Sequence, residues 1–430
     1  MAGRLTVELL DGARERLHAV AVEYARRLPG LRYCDIRVEV REEKGAAAEN
    51  GHEKASSEDA TLAFGVRAIA GDGATAAGYY GRILGDEDAP RLEAVVRQGL
   101  RHAYQRAFAS ARQKAGARAR YGALAGSLTD TVLAPAPIVR DTVPASFTID
   151  PRSVRLADVT RMALDGCKAA AGVSNQIVYS VAYARTTLIR ELFLSSEGSD
   201  IDQSFALSEG MVFVVSRGQT GNLELYDYVG HPRGWEVLAQ GYHTKDVELN
   251  DFVTFARKLA SDAVEVSNAP KLVPTDKEAI IVTDPHFNAL LVHEIVGHPS
   301  ELDRALKYET AYAGRSWLFK DLNDSQRGVQ VASRLLNAFS DPTMDGLGFY
   351  KYDHDGTPAR RACHFRNGVY EEFLNSRQTA AILGVEPNGS FRATDAYLVP
   401  LIRMTNTVFA AGDRDPNDII AEVDEGYYVV

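Results

Sequence analysis

Residues 176–230 carry five strand-like runs: QIVYSVAYART (176–186), TLIRELFLSS (187–196), QSFALS (203–208), MVFVVSRG (211–218) and LELYDYVG (223–230). They are rich in Val, Ile, Tyr, Phe and Thr, which fit a pleated, half-buried surface. The separators are short and contain Gly, Ser or Asn, so the segment reads as an antiparallel meander. On its N-terminal side, residues 154–172 read as a helix. On its C-terminal side, residues 247–266 return to helix and EAIIVT (278–283) reads as a buried strand.

Further outward the pattern changes period. Residues 4–28 place Leu5, Leu9, Leu17 and Val20 largely on one helical face, and Pro29-Gly30 ends that run. Tyr33–Arg41 alternates as a strand. Residues 43–59 (EKGAAAENGHEKASSED) are polar and low in complexity and read as a mobile loop. Residues 61–70 and 77–84 read as paired strands around a Gly-rich turn. A long helix follows from Pro90 to about Ala117, with a stripe of arginines that is either a partner surface or a solvated face. Residues 121–150 read as a linker. Beyond residue 330 the pattern is strand-like, with turns at Asp355-Gly356, Asn367-Gly368 and Asn388-Gly389. The expectation is an α+β protein in three parts: an N-terminal α/β domain (1–120), a central β-meander region packed with it (121–245), and a β-rich C-terminal domain (246–430).

Composition narrows the function classes. The chain has 430 residues, with Lys+Arg 48 against Asp+Glu 58, for a net charge of −10. That balance argues against nucleic-acid binding, which draws on a basic face. No apolar run approaches the ~18 residues of a membrane span. Three scattered cysteines, Cys34, Cys167 and Cys363, form neither a disulfide framework nor a CxxC site. A reducing, cytoplasmic location is the expectation.

One motif carries chemistry. In TDPHFNALLVHEIVGHPSELDRA (283–305), Asp284-Pro285 is a helix start and Pro299 a helix end. Between them lie His293, Glu294 and His298. Neutral imidazoles are zinc ligands, and a neighbouring glutamate can move the proton of an attacking water. The spacing is HExxxH. On an ideal helix, positions five apart lie about 140° apart, too splayed for one metal. A π-type turn would return both imidazoles to one face, so the sequence predicts an irregular or ending helix between His293 and His298. The other reading is a pair of helix-end histidines without metal.

The sequence resembles the TldD/PmbA family of modulators of DNA gyrase, understood as zinc-dependent peptidases. LVHEIVGHPSE (291–301) matches the HExxxH of TldD-type members. SDPTMDGLGFYKYDHDGTPARR (340–361) resembles the family's Asp-rich segment, LIRMTNTVFAAGDRDPNDIIAEVDEGYYV (401–429) its RMTNT signature, and FGVRAIAGDGATAAGYY (64–80) its N-terminal hairpin. The resemblance implies Zn²⁺ held by His293 and His298, with Glu294 activating a zinc-bound water. It implies cleavage of short or unfolded peptides in an enclosed chamber, and a dimer with a PmbA-like subunit or a second copy. It also implies a third zinc ligand, a cysteine, beyond Val430. Cys363 is read as strand packing, and Cys34 and Cys167 as small buried hydrophobes. Arg403 and Asn406 are read as substrate-binding or as core-strand hydrogen bonders. Glu301 and Asp303 are read as orienting a ligand histidine or as surface acids, and Asp353-His354-Asp355 as a turn beside Gly356 or, alternatively, a metal cluster. A non-catalytic peptide-binding or scaffold subunit is the alternative function, because only two ligands lie in the chain.

Overall fold

The computed structural model describes residues 5–120, 130–219, 221–273, 278–311 and 314–430. Its centre is a seven-stranded sheet made of β1 (Leu31–Glu49), β2 (His52–Ala70), β3 (Ala76–Leu84), β4 (Arg140–Val143), β5 (Ile177–Ser195), β6 (Asp200–Gly218) and β7 (Gly221–His231). The strand order is β3-β2-β1-β5-β6-β4, and β7 also pairs with β6. All pairings are antiparallel except β4 with β6. The sheet therefore joins strands from before and after residue 121. The five short runs of 176–230 merge into two strands of 19 residues and one of 11.

The helices cover one face of the sheet. They are α1 (Arg14–Ala19), α2 (Leu92–Arg120), α3 (Leu156–Ala171), α4 (Glu236–Gln240) and α5 (Phe252–Asn268). Ile36, Val38 and Val40 of β1 alternate inward with Leu62, Phe64 and Val66 of β2, and pack on Val96, Leu100 and Ala103 of α2. Gly99 lets α2 sit close, because a Cβ there would fall 2.5 Å from the Phe64 ring. A second core sets Cys167 of α3 and Phe252 of α5 against Val212 and Val214 of β6. No described helix is long and apolar enough to cross a membrane.

Several sequence expectations change here. Residues 43–59 are the tip of the β1–β2 hairpin, not a loop. Asn50 (φ 49°) and Gly51 (φ 79°) form its turn, in the left-handed geometry that two-residue hairpins favour. The polar composition reflects β2's exposed side chains over His52–Asp59. The first helix divides into short 3₁₀, α and π turns between Val7 and Arg27. In the expected linker, residues 121–129 lie outside the described residues, and Arg140–Val143 is a strand. Ile280–Thr283 is a strand but not a buried one: Ile280 and Ile281 are exposed, and among the described residues it pairs only with Gly426–Val429, in parallel. The arginines of α2 mostly have intramolecular partners: Arg97 pairs with Glu93 at 2.6 Å, and Arg106 donates to the Tyr79 carbonyl at 2.7 Å.

The C-terminal part folds around a third core of Val292, Val296, Leu302, Phe365, Tyr370, Phe373 and Ile402. Its strands are short. A four-stranded sheet orders Val369–Tyr370, Ala362–Arg366, Ala338–Ser340 and Thr407–Phe409. A buried ionic hub ties this part to the large sheet. Arg67 on β2 meets Asp35 at 2.7 Å and Asp355 at 2.5 Å. His354 meets Glu191 on β5 at 2.9 Å, and at the solvent edge of the hub buried Arg377 meets the exposed Glu197 at 2.7 Å. Asp353 accepts from the amides of Asp355, Thr357 and Phe391, so the 353–355 segment is a turn, as its Asp-Gly suggested.

Candidate metal centre

Asp284 caps α6 (Pro285–Val292) by accepting from the Phe287 amide at 2.7 Å. The regular helix ends at Val292. Residues His293–Gly297 form a π turn, and the His298 amide donates to the His293 carbonyl five residues back. A 3₁₀ turn over His298–Ser300 follows. This is the irregularity the HExxxH spacing demanded.

Two local features hold the turn. A Cβ on Gly297 would fall 1.8 Å from Met404 Sδ, so the glycine makes room for Met404 of the 401–407 segment. Ser316 donates to the freed Pro299 carbonyl at 2.5 Å, and the Trp317 indole to that of Ile295 at 3.4 Å. Both groups arrive from a distant loop, and no spacing in the sequence announces them.

The consequence is proximity. The imidazoles of His293 and His298 lie with ring centroids 4.6 Å apart at 89°. One ligand atom from each of His293, Glu294 and His298 falls within 4.8 Å of the others. Among the described residues this is the group of three or more His, Cys, Asp or Glu side chains that meets such a spacing. Burial and the neighbouring His298 hold His293 below the ordinary imidazole value, and burial with Arg304 does the same to His298. Both are therefore neutral near pH 7, the form that binds a metal. His298 Nδ1 is buried without a hydrogen-bond partner. Two neutral, converging imidazoles fit a zinc ion, which in catalytic sites takes three protein ligands.

The remaining candidates separate. Glu301 is fully buried and receives Arg304, the Met404 amide at 3.3 Å and Arg403 Nη1 at 3.4 Å. Burial pushes its carboxyl up, against the pull of the two arginines. Asp303 is also buried and pushed up to about 6 by burial. It accepts from the Ile402 amide at 3.0 Å. Neither is a surface acid. Asn406 holds the 341–348 loop, accepting from the Gly348 amide at 2.9 Å and donating to the Met344 carbonyl at 3.1 Å. Cys363 lies in the 362–366 strand with its thiol on the Phe365 carbonyl at 3.7 Å. Burial pushes that thiol to about 11. Cys34 and Cys167 are buried.

Comparison with known proteins places the chain among metalloprotease-like sequences and folds. Residues 276–430 match the model of the PmbA/TldA metallopeptidase C-terminal domain. A metalloprotease of Methanothermobacter thermautotrophicus is 30% identical over 237 residues, 55% of this chain and 47% of that protein. A zinc metalloprotease TldD homolog of Saccharolobus solfataricus is 26% identical over 254 residues, 59% of this chain and 52% of its own. The chain spans about half the length of the curated relatives it matches. TldE from Thermococcus kodakarensis shares the fold, with a TM-score of 0.66 at 18% identity over 95% of this chain and 80% of that one. A Thermotoga maritima structure does so with a TM-score of 0.66 at 15% identity, over 97% of this chain and 82% of its own.

Proposed function

We propose that the chain is a member of the TldD/PmbA family and the metal-ligating, TldD-type subunit of a zinc metallopeptidase. The observation that carries this reading is the π turn, which brings both histidines of HExxxH to one side beside Glu294. His293 and His298 would hold the ion. A zinc ion supplies a Lewis acid for a peptide carbonyl and makes a water more acidic.

The chain's own residues do the rest. The Glu294 carboxylate is exposed beside the imidazoles. It accepts the proton of the attacking water on a carboxylate oxygen and returns it to the leaving amine nitrogen. The two imidazoles remain neutral ligands throughout. The names borne by relatives support a peptidase, and the TldE likeness supports a partner of the same fold. Short or unfolded peptides are the proposed substrates, enclosed between the two subunits. A non-catalytic peptide-binding subunit is the second reading, favoured by the presence of only two imidazoles in the cluster.

The test is Glu294→Gln. With Zn²⁺ and the PmbA-like partner present, the variant should keep its metal and lose cleavage of an unfolded fluorogenic peptide. Full cleavage by the variant would end the role given to Glu294. Absence of cleavage and of bound metal in the unmodified complex would favour the second reading.

A further inference from the structure

Glu301 sits where two segments meet. It is fully buried, at the end of the turn that carries His298. Its Oε2 lies 3.7 Å from His298 Nδ1, and that nitrogen is buried without a hydrogen-bond partner. That separation is just beyond the roughly 2.7–3.2 Å of an N–H···O hydrogen bond. The carboxylate itself cannot swing freely, because Arg304 holds it from its own helical turn. Arg403 and the Met404 amide hold it from the 401–404 segment, at 3.4 and 3.3 Å. Met404 also fills the space beneath Gly297. The same short segment thus packs the π turn and grips the carboxylate that faces the second histidine.

A histidine that ligates metal through one nitrogen commonly donates its other N–H to a carboxylate, which fixes tautomer and ring orientation. We infer that Glu301 is a positioning residue: it accepts the Nδ1–H of His298, presents Nε2 to the metal, and is aimed by Arg304 and Arg403. This deepens the metal-site reading and rests on it. It also gives Arg403 a different task from substrate binding. Arg403 acts from behind the site, through Glu301, and the HExxxH and RMTNT segments form one mechanical unit.

Two measurements test this on the full chain. The first needs no metal: ¹⁵N-histidine labelling, with His298 assigned by its absence in His298→Gln, followed by two-bond ¹H–¹⁵N correlation. The expected result is a protonated Nδ1 and a pyridine-like Nε2 near pH 7.5. A predominantly Nε2–H tautomer for His298 would overturn the proposal. The second is Zn²⁺ affinity by competition with a chromophoric chelator, for the unmodified chain, Glu301→Gln and Arg403→Lys. Glu301→Gln should weaken zinc by about 10–100-fold, the usual loss on removing such a partner. Arg403→Lys, which keeps the charge near Glu301, should weaken it less. Equal affinity in folded Glu301→Gln would count against the proposal. Failure of the unmodified chain to bind zinc with the tautomer as expected would instead sink the metal-site reading alone.

Discussion

Arg67→Met tests the joint between the large sheet and the C-terminal part. The guanidinium bonds Asp35 at 2.7 Å and Asp355 at 2.5 Å. It lies 5.3 Å from the Tyr33 ring centroid and 5.5 Å from that of Phe391. Methionine keeps much of the volume between the rings but leaves two buried carboxylates without their cation. Breaking a buried pair by removing one partner costs about 3–5 kcal/mol. The cost depends on pH. Burial already holds Asp35 above its ordinary 3.8, with Arg67 opposing that rise. A carboxyl whose folded value exceeds its unfolded value favours folding when protonated, and its penalty grows as pH rises through the folded value. The variant's deficit is therefore largest near pH 7.5 and smaller near pH 5. Urea unfolding followed by tryptophan fluorescence measures it. The two indoles sample both parts, since Trp235 is in the sheet–helix core and Trp317 is 53% exposed in the C-terminal part. With a slope of about 3 kcal/mol/M, the midpoint should fall by roughly 1–1.7 M. Adding Asp355→Asn should recover part of the loss. A deficit below about 1 kcal/mol, or one that grows toward pH 5, would refute the reasoning.

Gly297→Ala places a methyl on Met404 and should destabilise the chain by about 1–3 kcal/mol in thermal unfolding, with Met404→Ala restoring part of it; no restoration would separate the two residues. Zn²⁺ affinity should hold from pH 8 down to the ordinary imidazole value of 6.5 and fall only in more acid solution, because both ligand histidines titrate below that value. A midpoint above 6.5 in the affinity profile would contradict the burial argument. Cys363→Ser should leave zinc affinity unchanged, whereas a clear loss would make Cys363 a ligand.

The antiparallel core of the sheet and the π turn were legible because both rest on local periodicity: alternation in 176–230, and the angular mismatch of HExxxH. The long hairpin was not, because polar composition hid the Asn50-Gly51 turn signal inside a segment that alternates weakly. The exposure of Ile280 and Ile281 was also hidden, since an apolar run reads the same on an edge as in a core. Around the site, Asp353–Asp355 was legible as a turn from Gly356, but its burial against Arg67 depends on a contact 288 residues away in sequence. Glu301 remained ambiguous for the same reason. Its neighbours Arg403 and Met404 lie a hundred residues further on, and only the fold brings them together.

The claim at the centre is that His293 and His298 hold one metal ion between them. Co²⁺ titration of the unmodified chain, His293→Ala, His298→Ala and the double variant, read by absorbance and by competition with Zn²⁺, tests it most directly. The unmodified chain should bind one equivalent, each single variant should bind far more weakly, and the double variant should add no further loss, because two ligands of one ion are not independent. Equal binding by the unmodified chain and the double variant, or independent additive losses from the two histidines, would contradict the account.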